Sequence, residues 1–187
     1  MRIIGGNLRG KKILNPTDKL TRPLKDMVRE SIFNIINHSQ DEHVELNNAK
    51  ILDLFSGTGS FGIECLSRGA KSVTFFENYS NSIKILKKNL DLLDLNKNST
   101  IIEKDVFSIN PAQHNLSKFD LIFLDPPFKD NKLNQLIGII KKMKITYKNT
   151  LIIIHRNTKI SENICKDLII SKEKNYGLSK IIFGKIC

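Results

Sequence analysis

The sequence predicts an α/β protein built on a doubly wound, mostly parallel sheet, and three observations lead there. From Lys50 onward, short and almost continuously apolar segments alternate with segments whose apolar residues recur every three to four positions. The first apolar segment, Ile51-Leu52-Asp53-Leu54-Phe55, stops at a glycine-rich turn, Ser56-Gly57-Thr58-Gly59, that opens a helix. The chain ends in two extended segments with no long helix between them, which suggests an antiparallel hairpin at one edge of the sheet.

The elements follow in order. Residues 1–20 carry Arg2, Arg9, Lys11, Lys12 and Lys19 against one acid, Asp18. Gly5-Gly6 and Gly10 punctuate short apolar pieces there, so this stretch reads as a small basic β-hairpin. Thr21-Arg22-Pro23 reads as a helix start, with Pro23 in the first turn. Leu24, Met27, Val28, Ile32, Ile35 and Ile36 then give one apolar helix face. The polar run His38 to Asn48 marks a boundary, dividing a basic extension (1–46) from the main domain (47–187). In the main domain, Phe61 to Arg68 is helical and stops at Gly69, Ser72–Phe76 is a second strand, and Asn81–Leu95 is a helix. Thr100–Ile102 and Phe119–Leu124 are strands, the latter apolar enough to be buried on both faces. Leu133–Met143 is a helix and Thr150–Ile154 a fifth strand. A short helical piece at Glu162–Lys166 precedes strands from Asp167 and over Lys180–Ile186.

Composition narrows the function. The chain has 187 residues, a one-domain length, with 40% hydrophobic residues. Thirty Lys and Arg against 19 Asp and Glu give a net charge of +11, which favours a polyanionic partner. No run approaches the ~18 apolar residues of a membrane span, and Met1-Arg2-Ile3-Ile4-Gly5-Gly6 lacks a secretory apolar region. Cys65, Cys165 and Cys187 are odd in number and without CxxC spacing, which argues against a disulfide framework and a zinc site. A cytoplasmic protein without a metal is the expectation.

Gly57-Thr58-Gly59-Ser60-Phe61-Gly62 matches GxGxxG between a strand and a helix, and Glu77 follows Gly57 by 20 residues, where a carboxylate can take two ribose hydroxyls. That pattern fits NAD and S-adenosylmethionine (SAM) alike. Asp53, four residues before Gly57, tips the balance to SAM. A carboxylate beside that turn opposes an anionic pyrophosphate but welcomes an ammonium and a sulfonium. Asp105, after the third strand, can accept an adenine amino group, with the Val106 backbone meeting the ring; the bland reading is that Asp105 caps the turn that follows it.

Leu124-Asp125-Pro126-Pro127-Phe128 ends the fourth strand on the edge where open α/β sheets hold ligands. Two prolines stiffen the turn. Methylation of an exocyclic amine on a planar base suits this arrangement. The Asp125 carboxylate and the Pro126 carbonyl can accept the two N–H groups of the amine. Phe128 offers a stacking face worth ~1–3 kcal/mol.

These residues resemble the RsmD family of SAM-dependent methyltransferases, which act on the N2 amine of a guanine in 16S ribosomal RNA. Arg2-Ile3-Ile4-Gly5-Gly6 with Arg9-Gly10 is similar to the family's opening hairpin. Arg22-Pro23 with Asp26, Val28-Arg29-Glu30 and Phe33-Asn34 resembles its first helix. Asp53 to Gly59 resembles its cofactor loop and Asp125 to Phe128 its catalytic motif. The resemblance implies a Rossmann-like, seven-stranded methyltransferase fold with a small N-terminal hairpin and helix extension. It implies SAM held by Asp53, Phe55, Ser56, Gly57, Thr58, Gly59, Glu77, Asn78, Asp105 and Val106, and catalysis at Asp125, Pro126, Pro127 and Phe128. The chain departs from the family at Leu24-Lys25, where small hydroxyl residues are usual, and at His155-Arg156, where an acid is common.

On the substrate side, Arg2, Arg9, Lys11, Lys12 and Arg22 are the RNA-binding candidates, acting through phosphates. A monomer acting on an assembled or assembling small ribosomal subunit is the family's implication. A lone His155 reads as a structural residue, and Cys65 as core. Other readings are an amino-methyltransferase acting on DNA adenine N6 or cytosine N4, a non-catalytic RNA-binding factor, and an NAD dehydrogenase, for which no proton donor is identifiable.

Overall fold

The structure, a computed structural model, describes residues 1–16, 24–109, 116–127, 131–160 and 163–187. Seven strands form one sheet: β1 (Lys50–Leu54), β2 (Ser72–Phe76), β3 (Ser99–Ile102), β4 (Phe119–Leu124), β5 (Thr146–Asn157), β6 (Leu168–Tyr176) and β7 (Ser179–Ile186). Their spatial order is β3-β2-β1-β4-β5-β7-β6. The first five run parallel; β7 pairs antiparallel with β5 and with β6, as the two terminal extended segments imply. Strand order reverses between β1 and β4, so a crevice opens at their carboxyl ends. The ends are level there: Leu54 lies beside both Phe76 and Leu124, and Leu124 beside Ile154.

Among the described residues, four α-helices accompany the sheet: α1 (Asp26–His38), α2 (Ser60–Ser67), α3 (Ser80–Leu92) and α4 (Leu133–Met143). Side chains alternate across each strand, so each strand feeds two cores. Ile51, Val73, Phe75, Leu121, Phe123 and Ile153 pack with α1, α2 and α3. Leu52, Leu54, Phe76, Ile122, Leu124 and Ile152 pack with Leu133, Leu136, Ile137 and Ile140 of α4. A run of rings ties α1 to the sheet: Phe33 stacks on Phe61 at 5.2 Å between centroids, and Phe61 on Phe123 at 4.0 Å.

Four sequence expectations need correction. The first helix begins at Asp26, after an extended Lys25 (ψ 141°), and not at Thr21-Arg22-Pro23, a segment outside the described residues. Asp26 sits in the first turn, where a carboxylate complements the helix dipole, and pairs with Arg29 at 3.1 Å. The third helix stops at Leu92 because Asp94 turns into a positive φ of 55°, and the Leu95 N–H returns to the Leu90 carbonyl. The fifth strand runs over twelve residues, not five. Its exposed Tyr147-Lys148-Asn149 carried no apolar signal, and its far end is held by Arg156 beside Lys180 and Asn157 beside Ser179. The short helix expected at Glu162–Lys166 is not formed over its described part, 163–166, which is irregular chain entering a turn.

The hairpin expected at the N-terminus forms around a single Arg2–Lys12 bridge, with Ile3 N–H on the Lys11 carbonyl and Ile13 N–H on the Met1 carbonyl, both at 2.9 Å. Ile3 and Ile13 are buried in the core that α1 shares with the sheet.

Candidate active site

The loop after β1 is built to bring backbone to the crevice. Phe55, Gly57 and Gly59 all take positive φ (62°, 55° and 83°). Ser56 fixes the turn: its N–H donates to the Phe76 carbonyl at 3.0 Å and its hydroxyl to the Asp53 carbonyl at 2.6 Å. Glycine at 59 and 62 is a packing requirement. A Cβ on Gly59 would meet Leu86 at 2.3 Å, and one on Gly62 would meet the Phe75 ring at 2.3 Å. Thr58 is buried, and its carbonyl accepts from the Asn89 side chain at 3.0 Å.

Acidic groups gather around this loop. Asp53 is 1% exposed and accepts the Gly62 N–H through Oδ2 at 3.0 Å. Burial pushes its carboxyl well above the ordinary carboxylate range; the Gly62 N–H opposes that, and the charges of Asp125 and Glu77 add to it. Glu77, at the tip of β2, spans the gap to β1. Its Oε2 accepts the Gly57 N–H at 2.8 Å, and its Oε1 accepts Asn78 N–H at 2.9 Å and Tyr79 N–H at 2.8 Å. A carboxylate has about four acceptor positions, so a further hydroxyl can still be taken. Asp105 caps a short 3-10 turn over Val106–Ser108, accepting the Phe107 N–H at 2.9 Å. Its capping reading is therefore met, with the side chain exposed beside buried Val106. Phe55 and Phe107 approach each other at 6.3 Å between centroids. Asn78 is exposed.

The Asp-Pro-Pro tip lies on the other lip of the crevice. The Asp125 N–H donates to the Leu54 carbonyl at 3.3 Å, which sets the tip directly beside the cofactor-type loop. Asp125 is half-buried, Pro126 buried and Pro127 exposed. The Pro127 carbonyl accepts from Arg156 at 3.3 Å, whereas no described residue donates to the Pro126 carbonyl. Phe128 lies outside the described residues. His155, read as structural from sequence, stands 2.8 Å from the Asp125 carboxylate. It was hidden because its partner is 30 residues away in sequence and reaches it only through the β4–β5 pairing.

The N-terminal unit docks through residues that no sequence motif marks. Glu64 is fully buried and accepts the N–H groups of Ile4 and Gly5, at 2.9 and 2.7 Å. Arg68 meets the same carboxylate at 2.9 Å, and buried Arg29 lies 3.7 Å from it. Burial lowers the Arg29 pKa, and the carboxylates of Glu64 and Asp26 oppose the shift. Asn89 accepts the Leu14 N–H at 2.8 Å, donates to the Leu14 carbonyl at 3.2 Å, and so joins the hairpin's exit to the Thr58 carbonyl. Arg2, Arg9, Lys11 and Lys12 are all exposed on this docked unit; Arg22 lies outside the described residues. Among the described residues there is no cluster of His, Cys, Asp or Glu able to hold a metal, and no helix long and apolar enough to cross a membrane.

Comparison with known proteins identifies relatives of the whole chain. The family described as conserved hypothetical protein 95 matches residues 1–185. The chain is 32% identical over 179 residues to ribosomal RNA small subunit methyltransferase D of Haemophilus influenzae, covering 95% of this chain and 90% of that one. It is 31% identical over 172 residues to the protein of the same name from Buchnera aphidicola, covering 92% and 86%. The solved structure of yhhF from Escherichia coli superposes with a TM-score of 0.83 at 28% identity, over 100% of this chain and 97% of that one. With the family model matched over residues 1–185 and relatives above 30% identity over most of their length, this chain belongs to the conserved hypothetical protein 95 family, the RsmD family of methyltransferases.

Proposed function

We propose that the chain is a SAM-dependent methyltransferase that methylates the N2 amine of a guanine in 16S ribosomal RNA, acting as a monomer on the assembled or assembling small subunit. The observation that carries the reading is the apposition of Asp125, through its backbone bond to Leu54, with the Gly57–Gly59 loop. The relatives named above act on small-subunit ribosomal RNA by name, and the same substrate class is proposed here.

The residues present fit SAM. Three carboxyl groups, Asp53, Glu77 and Asp125, surround the loop, and the most buried of them is held against its own ionisation. A bound ammonium and sulfonium would supply the missing positive charge. Glu77 would take a ribose hydroxyl at its remaining acceptor position, Asp105 the adenine amine, and Phe55, Ser56, Gly57, Thr58, Asn78 and Val106 would line the rest. When bound, SAM supplies an electrophilic methyl group. The chain's own part is to bring the amine in line with it, since proximity and alignment carry most of the catalysis. The lone pair of a base's amine is delocalised into the ring. The Asp125 carboxylate and the Pro126 carbonyl would accept its two N–H groups and turn the nitrogen toward attack, and the Asp125 charge stabilises the amine as it becomes cationic. Phe128 would stack on the base, which must leave its own stack to arrive. The 1–46 extension would hold phosphates with Arg2, Arg9, Lys11, Lys12 and Arg22.

The test is transfer of labelled methyl from SAM to small ribosomal subunits lacking the modification. The wild-type chain is expected to label a single guanine. Asp125→Ala is expected to lose at least about 100-fold in rate, with SAM binding by calorimetry within a few-fold of wild type. Full transfer by Asp125→Ala contradicts the mechanism; label on adenine or cytosine of DNA in place of ribosomal RNA contradicts the substrate.

A further inference from the structure

His155 links two elements at the tip of the crevice. Its Nδ1 is 2.8 Å from Asp125 Oδ1, and its Nε2 is 2.9 Å from Ser179 Oγ, with His155 only 6% exposed. Ser179 is itself buried, at the first position of β7. For a neutral ring beside an ionised carboxylate, the hydrogen-bond inventory of the groups places the protons. An ionised carboxylate only accepts, so Nδ1 carries the ring hydrogen and donates to Asp125. Nε2 then holds a lone pair and accepts the Ser179 hydroxyl, which can donate. Asp125 Oδ1 is thereby occupied, and no described residue donates to its Oδ2.

We propose that His155, oriented by Ser179, is a positioning residue that locks the Asp125 carboxylate so that Oδ2 faces the substrate amine. The inference rests on the reading of Asp125 as the amine's acceptor. Without the ring, the carboxylate is free to turn about its terminal torsion, whose wells are broad. The ring does not relay the proton. The N–H bond of the methylated amine breaks, its electron pair returns to nitrogen, and the proton goes to Asp125 Oδ2 and then to water. Nδ1 already carries a hydrogen, so it cannot receive that proton from Asp125.

The experiment compares His155→Ala, His155→Asn, Ser179→Ala and Asp125→Ala on small subunits, reading kcat, KM for the subunit and SAM affinity separately. His155→Ala is expected to lower kcat on the order of 10–100-fold, with both affinities within about twofold of wild type. His155→Asn is expected to restore most of the rate, because its amide N–H can take the place of the Nδ1 donor. Ser179→Ala is expected to fall between. Nitrogen NMR of the wild-type ring at neutral pH is expected to show the Nδ1–H tautomer, a readout that needs no variant to fold. The inference is overturned by a wild-type kcat in His155→Ala, by His155→Asn as slow as His155→Ala, or by an Nε2–H tautomer. An active Asp125→Ala would overturn the underlying reading of Asp125 instead.

Discussion

At the scale of single residues, the site is a problem of buried charge. Asp53 lies buried at the end of β1, against the start of α2, with its carboxyl pushed up by burial, and only the Gly62 N–H opposes the shift among its named neighbours. A carboxyl whose folded pKa is raised contributes stability that is present below the ordinary Asp value and is lost as pH rises through the raised one. Asp53→Asn removes that loss while its amide oxygen can still accept from Gly62. The variant is expected to melt higher than wild type at neutral pH without ligand and to bind SAM more weakly; thermal scans and calorimetry check the two arms. In the wild type, SAM binding should release protons from Asp53, seen as a heat that changes with the buffer's ionisation enthalpy, and affinity should fall as the pH is lowered into the range where Asp53 is protonated. Asp53 and Asp125 were legible in the sequence because each sits at a fixed place relative to a turn. His155 was not, because a histidine at a strand end says nothing until the neighbouring strand is known.

At the scale of elements, two contacts set the cofactor-type loop: the seat of α2 on the sheet and a side chain of α3 on the loop itself. Gly62 packs against Phe75 and Val73, where a Cβ would stand 2.3 Å and 2.8 Å from their side chains. Gly62→Ala is expected to cost about 1–3 kcal/mol by overpacking and to weaken SAM binding, since the helix must move off the sheet and carries the loop with it. Denaturant unfolding and a SAM titration on one preparation check both. Asn89 makes the second contact, from α3. Asn89→Ala leaves the Leu14 N–H and the Thr58 carbonyl without their partner, at a cost of roughly 1–3 kcal/mol for a buried group. The expected signature is faster hydrogen exchange at Leu14 together with weaker SAM binding. The parallel strands and α4 were legible from periodicity. The start of α1, the end of α3 and the length of β5 were not, because they depend on an extended Lys25, on a positive φ at Asp94 and on pairing with β7. Nor could Glu64 and Asn89 be singled out: a carboxylate in an apolar helix and an amide among lysines acquire meaning only when the hairpin backbone arrives to use them.

At the scale of the whole molecule, the +11 charge is the feature that connects fold to partner. The hairpin shares its core with α1 and the sheet, so its exposed Arg2, Arg9, Lys11 and Lys12 are carried on a fixed unit. Replacing these four by glutamine is expected to weaken binding to the small subunit and to flatten its salt dependence by about 0.7–0.9 in log–log slope for each phosphate that is no longer neutralised, with SAM affinity unchanged. Filter binding across a salt series reads this directly. The fold class was open to reading from alternation alone; the docking of the basic unit onto α2 and α3 was not, since it rests on backbone donors that no side-chain pattern reports. The central claim is that Asp125 and the glycine loop together methylate one guanine of 16S ribosomal RNA. Its most direct measurement is mass mapping of that RNA from cells lacking the gene, complemented with wild type or with Asp125→Ala. The account predicts one N2-methylguanine restored by the wild type and absent with Asp125→Ala; the same methylation pattern in all three would contradict it.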